Sequence, residues 1–274
     1  MPLWNNDPNV MLVAGHRGAR RIRPENTMTA FRYAIDAGVD MVETDIRQTK
    51  DHQLVLMHDE RVDRTTDGTG RVRDLTFADF RRLNAAAHDE GFAPECPPTL
   101  EELLELVAAH PTMLVNLELK EYPHVEGEEM AFDTADKTVA LVEKYGLGDR
   151  VILNSFSGKL LDYLARKYDH CYPLHGFYPY FYLGPEYGDP ETYLDVACLI
   201  HGALENGKIR SLDGPVCPQP WFDELLSHNI EPWIGPGAKT YEDLEICFSR
   251  GGRLITSDNP VETLEFLRRM GHHR

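Results

Sequence analysis

The sequence predicts a (β/α)8 barrel, an α/β fold. Three observations point to it. Eight short apolar runs alternate with helix-like segments. The alternation fills about 250 residues, the usual size of such a barrel. Pro and Gly are scattered as punctuation, with no linker, repeat or low-complexity tract to divide the chain. An open doubly wound sheet accommodates eight such units less well. The 274 residues are therefore read as a single domain, 1–274.

The expected strands are Met11 to Ala14, Met41 to Asp45, Met113 to Leu119, Val151 to Ser155, Tyr172 to Gly176, Gly214 to Cys217, Ile230 to Ile234 and Arg253 to Thr256. Helices are expected around Thr27 to Ala37, Leu100 to Ala109, Thr134 to Tyr145, Gly158 to Lys167, Pro190 to His201, Trp221 to Ser227, Tyr241 to Ser249 and Val261 to Met270. Asn26 with Thr27, Thr99 with Glu101 and Glu102, and Asn259-Pro260 have the chemistry of helix N-termini, where a short polar side chain accepts from free backbone N–H groups. Between Leu54 and Pro98 the alternation lapses, with turn-rich sequence after His58 and a short helical Phe77 to Leu83. Residues 59–97 are read as a small insertion after the second strand, on the barrel rim. Loops beyond the C-terminal strand ends build the sites of such barrels, so the insertion is placed to shape one.

Composition excludes several classes. With 42% hydrophobic and 27% charged residues, the chain has the material for a core and lacks a disordered composition. A net charge of −17 argues against nucleic acid and against anionic membrane surfaces. No run approaches the ~20 apolar residues of a membrane span, and the first residues lack a basic segment followed by an apolar one. A cytoplasmic location without stable membrane insertion is the expectation. Five scattered cysteines with no Cys-x-x-Cys pair suggest reduced, mostly buried thiols. The terminal His272 and His273 read as a solvated tail.

Candidate chemistry gathers at strand ends. Glu43 and Asp45 are two residues apart, so on a strand both face one side. Asn116, Glu118 and Lys120 repeat that spacing. Three carboxylates in one cavity repel unless a cation joins them, and an all-oxygen set suits Mg2+ or Ca2+ better than zinc. Taken singly, each is equally a solvated strand end or, for Glu118 beside Lys120, a salt bridge. His16 and His58 also end extended runs; without a ligand spacing such as His-x-x-x-His they suit proton transfer, one as base and one as acid. Arg17 offers a planar fork for phosphate oxygens and Lys120 a point charge.

These residues sit in ordered motifs: His16-Arg17-Gly18, Pro24-Glu25-Asn26-Thr27, Glu43-Thr44-Asp45, His58-Asp59, Arg64-Thr65-Thr66-Asp67-Gly68-Thr69-Gly70, Pro98-Thr99-Leu100-Glu101-Glu102, Asn116-Leu117-Glu118-Leu119-Lys120, Asn154-Ser155-Phe156 and Thr256-Ser257-Asp258. The set resembles the glycerophosphodiester phosphodiesterase family. The resemblance implies a catalytic (β/α)8 barrel with one divalent cation, Mg2+ or Ca2+, at Glu43, Asp45 and Glu118. It implies acid–base roles for His16 and His58, and phosphate contacts from Arg17 and Lys120. The implied reaction is metal-dependent hydrolysis of a small-molecule glycerophosphodiester to sn-glycerol 3-phosphate and an alcohol, through attack by the substrate's own hydroxyl.

The second half departs from the family. Relatives carry Trp-Thr-Val-Asn on the seventh strand. Here Trp233-Ile234-Gly235-Pro236 keeps the aromatic, which places Trp233 among the substrate-binding candidates, and loses two polar groups. The aromatic-rich segment from Tyr172 to Tyr187 suits either a lid or pocket wall for a bulkier lipid, as in a lysophospholipase D, or plain rim packing. A non-catalytic module that binds phosphate ligands is the remaining alternative.

Overall fold

The computed structural model of the chain describes residues 7–205, 208–212, 214 and 216–274. Its strands are β1 (Leu12–Gly15), β2 (Met41–Gln48), β3 (Leu54–Leu56), β4 (Leu114–Leu119), β5 (Val151–Asn154), β6 (Leu174–Tyr178), β7 (Val196–Leu199), β8 (Gly202–Glu205), β9 (Lys208–Ser211), β10 (Glu231–Ile234) and β11 (Leu254–Ser257). Eight of them, β1, β2, β4, β5, β6, β7, β10 and β11, pair in parallel, and β1 pairs with both β2 and β11, which closes the ring. The fold is a (β/α)8 barrel. Helices α1 (Met28–Ala37), α2 (Phe77–Phe80), α3 (Leu100–Ala108), α4 (Pro123–Glu126), α5 (Glu128–Lys144), α6 (Gly158–Lys167), α7 (Gln219–Ser227), α8 (Tyr241–Ser249) and α9 (Pro260–Met270) accompany it.

Local chemistry sets the helix starts. The Thr27 hydroxyl accepts from the Ala30 N–H at the head of α1, Thr99 and Glu102 form a reciprocal capping box on α3, and Asn259 caps α9 with Pro260 in its first turn. Asn26 does not cap; its side chain turns to the barrel. The ring strands are buried on both faces, as parallel strands sandwiched between barrel interior and helices must be. One apolar cluster runs from Met11 to Leu267. A smaller one, Val55, Met57, Val62, Val72 and Phe80, lies under the insertion. There β3 pairs antiparallel with the end of β2 and delivers the chain to His58.

Three expectations change. The sixth barrel strand is Val196–Leu199, inside the segment expected to be helical from Pro190 to His201; only Pro190–Thr192 forms a short 3-10 turn. A fully buried parallel strand carries a continuous apolar run with no period-two alternation, so Val196-Ala197-Cys198-Leu199 has no strand signature of its own. Residues 214, 216 and 217, expected as that strand, lie outside any strand, and Pro215 is outside the described residues. The antiparallel β8–β9 hairpin was not anticipated. Finally, the C-terminal histidines are docked: His273 Nε2 stands 2.9 Å from Asp40 Oδ2, and His272 stacks on Phe248. Cys198, Cys217 and Cys247 are buried and free, whereas Cys171 is exposed. Among the described residues no helix is long and apolar enough to cross a membrane.

Candidate active site

In-register neighbours on parallel strands project to the same side. Asp45 on β2 pairs with Glu118 on β4, Glu118 with Asn154 on β5, and Asn154 with His175 on β6; Glu43 pairs with Asn116. These polar residues line a cavity of about 460 Å3 at the mouth of the barrel together with His16, Arg17, His58 and Lys120, except Asp45, which sits behind the wall.

Glu43, Asp45 and Glu118 each bring a carboxylate oxygen within 4.8 Å of the others, and all three are buried. Burial and the charges of Asp45 and Glu118 push the Glu43 carboxyl well above its ordinary pKa. Asp45 behaves oppositely: burial opposes its charge, but Lys120, Arg17 and an N–H donated by Asn26 Nδ2 at 2.9 Å hold it ionised far below the usual range. The Lys120 ammonium bridges Glu118 and Asp45, at 3.2 Å from Asp45 Oδ1. Its pKa is raised by these carboxylates in spite of burial. With all three ionised, the carboxylates carry more charge than Arg17 and Lys120 offset, and the pressure against a charge on Glu43 reflects that surplus. Hard oxygen donors and surplus negative charge fit a divalent cation such as Mg2+ or Ca2+.

Two histidine–carboxylate pairs flank this cluster. His16, following β1, places Nδ1 2.6 Å from Asp258 Oδ1 and Nε2 3.9 Å from Glu43 Oε2. His58, following β3, places Nδ1 2.7 Å from Asp59 Oδ1. Each carboxylate fixes the ring and leaves Nε2 as the reactive nitrogen. Burial lowers the His58 pKa; the Asp45 charge opposes that, and the Lys120 and Arg17 charges add to it.

Arg17 adopts a left-handed backbone conformation, φ 50°, which turns its N–H onto Glu43 Oε2 at 2.8 Å. The turn requires glycine on both sides, since a Cβ on Gly15 would lie 2.2 Å from the Gly18 carbonyl oxygen, and one on Gly18, at φ +83°, would strike Ala30. The Arg17 guanidinium reaches Glu25 at 2.9 Å and lies 3.1 Å from Asp45. Arg64, from the insertion, grips both Glu25 and Asp59 at 2.6 Å. Ion pairs therefore run from His58 through Asp59, Arg64 and Glu25 to Arg17. Arg64 and His58 hold the Asp59 carboxyl down at about 2 even though burial opposes its charge.

Trp233 lies beneath the cavity wall and not in it. It is fully buried, donates Nε1–H to Thr256 Oγ1 at 2.8 Å, and stacks on His175 with centroids 4.4 Å apart. Of the phenylalanines and tyrosines in the aromatic segment only Phe177 lines the cavity, beside His175; Tyr178 and Tyr180 pack on each other, and Tyr178 also packs on Trp221. The apolar wall comes instead from Phe156, Phe177, Leu199, Ile200, Phe222 and Ile234. Sequence reasoning assigned no role to Asp258, Asp59, Arg64 or Glu25 and read Asn26 as part of a helix cap, although each stands inside a motif quoted for the resemblance. His175 lies in no such motif, and its only signal is a polar residue in the middle of an apolar strand.

A (β/α)8 barrel with paired histidines, clustered carboxylates and two buried cations at its mouth has the chemistry to hold a phosphoryl group. The model of the glycerophosphoryl diester phosphodiesterase family matches residues 16–181, and the chain belongs to that family. A glycerophosphodiester phosphodiesterase from Caldanaerobacter subterraneus is 40% identical over 151 residues, 53% of this chain and 58% of the relative. Human glycerophosphodiester phosphodiesterase 1 is 43% identical over 118 residues, 42% of this chain and 35% of the relative. The chain thus spans under two thirds of the length of these relatives. Structures extend the likeness in fold. A Silicibacter pomeroyi crystal structure carrying the same family designation aligns with a TM-score of 0.80 at 24% identity over 97% of this chain and 96% of that one. An Oleispira antarctica phosphodiesterase in complex with the product sn-glycerol-3-phosphate aligns at 0.76 and 19% identity over 94% and 97%.

Proposed function

We propose that the chain is a metal-dependent glycerophosphodiester phosphodiesterase that releases sn-glycerol 3-phosphate and an alcohol. One observation carries this reading: two histidine–carboxylate pairs flank a buried carboxylate cluster and two cations in a single cavity. The catalytic unit is one domain, with 59–97 as its rim insertion. Glu43, Asp45 and Glu118 would hold one divalent cation, Mg2+ or Ca2+. When bound, it supplies charge neutralisation for phosphoryl oxygens. Arg17 and Lys120 orient the phosphoryl group and offset its charge. One imidazole Nε2 accepts the proton of the attacking substrate hydroxyl and the other donates a proton to the departing alkoxide, giving a cyclic phosphate and the free alcohol; water then opens the cyclic phosphate to glycerol 3-phosphate with the two rings' roles reversed, which restores their starting protonation. Asp258 and Asp59 keep both rings in the required tautomer. Trp233 contributes by fixing the rings and hydroxyls beneath the wall.

Release of glycerol 3-phosphate from glycerophosphocholine, assayed with EDTA and then with Mg2+, Ca2+ or Mn2+ restored, tests the proposal. Turnover that is absent, or indifferent to metal, across a panel of glycerophosphodiesters would sink it. The apolar wall favours a second reading, in which the alcohol is bulky and lipid-like. Competition between glycerophosphocholine and lysophosphatidylcholine separates the two.

A further inference from the structure

The mechanism above needs the His58 imidazole and the Lys120 ammonium at fixed places, yet both residues lie past the ends of their strands. Backbone bonds carry β3 as far as Met57, whose N–H donates to the Asp45 carbonyl at 3.0 Å, and β4 as far as the Lys120 N–H, which donates to the Ile46 carbonyl at 3.1 Å. The carbonyls of His58 and Lys120 lie beyond these bonds, and one side chain takes up both. Arg47 on β2 donates from Nε and Nη2 to the His58 carbonyl oxygen at 3.1 and 2.9 Å, and from Nη1 to the Lys120 carbonyl oxygen at 3.4 Å.

What singles out Arg47 is where its hydrogens go. A guanidinium beside a carboxylate ordinarily forms a short bidentate pair. The buried Glu121 is at hand, with Oε2 3.5 Å from Nη1, but that oxygen accepts no hydrogen bond; its Oε1 accepts the Gln48 N–H at 3.1 Å. Glu121 therefore balances the charge while the fork serves two backbone oxygens. A planar group with several donors in fixed directions can hold two strand ends at once, which the point charge of an ammonium does less well. Residues 43, 45 and 47 alternate onto one face of β2, so the strand that brings Glu43 and Asp45 to the carboxylate cluster also sets its two neighbours. Arg47 is not among the residues that line the main cavity; it borders a separate groove of about 520 Å3 with His58, Lys120, Tyr122 and Phe156.

We propose that Arg47 is a positioning residue: it clamps the backbones of His58 and Lys120 to β2, and so fixes the proton-transferring ring relative to the phosphate-binding ammonium without touching the substrate. This rests on the reading that the cavity hydrolyses glycerophosphodiesters.

Kinetics and spectroscopy on the full chain test the clamp. Arg47→Ala is expected to lower kcat on glycerophosphocholine about 10- to 100-fold while KM stays within about threefold. Millimolar guanidinium chloride, entering by the groove, is expected to restore kcat severalfold, and sodium chloride of equal strength is not. Arg47→Lys keeps a charge beside Glu121 and so guards against a fold lost to an unpaired carboxylate; without the fork its kcat is expected to fall about tenfold at an unchanged melting temperature. A kcat near wild type in Arg47→Lys, a rise in KM at constant kcat in either variant, or a loss in Arg47→Ala that guanidinium fails to mend overturns the proposal. The His58 ring resonances, assigned by their disappearance in His58→Gln, are expected to shift in substrate-free Arg47→Lys while those of His16 hold still; unmoved His58 resonances overturn it too. That readout needs no turnover. A wild-type chain that releases nothing from any glycerophosphodiester, with a variant that shows the shift, would sink the proposed hydrolysis and leave the clamp standing. Hydrolysis without the shift would do the reverse.

Discussion

The two sides of the cavity follow different rules. From β1 through β4 it is lined by His16, Arg17, Glu43, His58, Glu118 and Lys120; from β6 to β10, mainly by Phe177, Cys198, Leu199, Ile200 and Ile234. On the charged side every ion needs a partner at a fixed distance, because an unpaired buried charge costs several kcal/mol. On the apolar side only shape and volume matter, and different residues fill the same space. The family match follows this division: it ends at residue 181, whereas the fold match covers 97% of the chain.

Substitutions on each side should separate these rules. The largest expected effect is at the histidines. His16→Ala and His58→Ala are each expected to lower kcat on glycerophosphocholine by about 10²- to 10⁴-fold, with circular dichroism and melting temperature unchanged; a His58→Ala chain with near-normal kcat would remove that residue from the mechanism. Chelation with EDTA should bring activity down to background, and added Mg2+ or Ca2+ should restore it. Asp258→Asn leaves His16 in place but loosens its tautomer, and a fall of about 10²-fold in kcat with little change in KM is expected. Across the cavity, Ile234→Ala should behave as a packing mutation. It is expected to cost about 2–5 kcal/mol of stability by denaturant melt while kcat/KM moves by less than about threefold. A larger kinetic effect there would mean that the apolar side takes part in the chemistry.

The smallest effect concerns His175, at the border between the sides. Its folded pKa of about 3 lies below the ordinary value of about 6.5. Between these values the unfolded chain takes up a proton that the folded chain refuses. Its contribution to stability is therefore full above pH 6.5 and declines as pH falls toward 3, at up to about 1.4 kcal/mol per pH unit. Melting temperature measured from pH 6.5 to 4.5 should fall less steeply in His175→Phe than in wild type. Equal slopes would show that the ring protonates in place.

The same division explains what could be read from the sequence. The charged side was legible because its residues pair by short, fixed spacings: Glu43 with Asp45, and Glu118 with Lys120, each two apart on a strand. The barrel was legible from its alternation, except at β7, whose short apolar run Val196-Ala197-Cys198-Leu199 reads equally as a buried stretch of helix. His175 escaped notice because what marks it, a buried Nε2 with no hydrogen-bond partner, exists only in three dimensions. Trp233 was visible as a residue type, but its depth beneath the wall was not.

The ion-pair run from His58 through Asp59, Arg64 and Glu25 to Arg17 joins the rim insertion to the loop after β1. A chimera that imports a foreign insertion without counterparts of Asp59 and Arg64 would leave Glu25 with Arg17 as its remaining ion-pair partner and His58 without the carboxylate that orients it. It could fold as a sound barrel and still misalign both ends of the site. The insertion and the first loop therefore form one heritable unit, although about 40 residues of chain separate their contacting side chains.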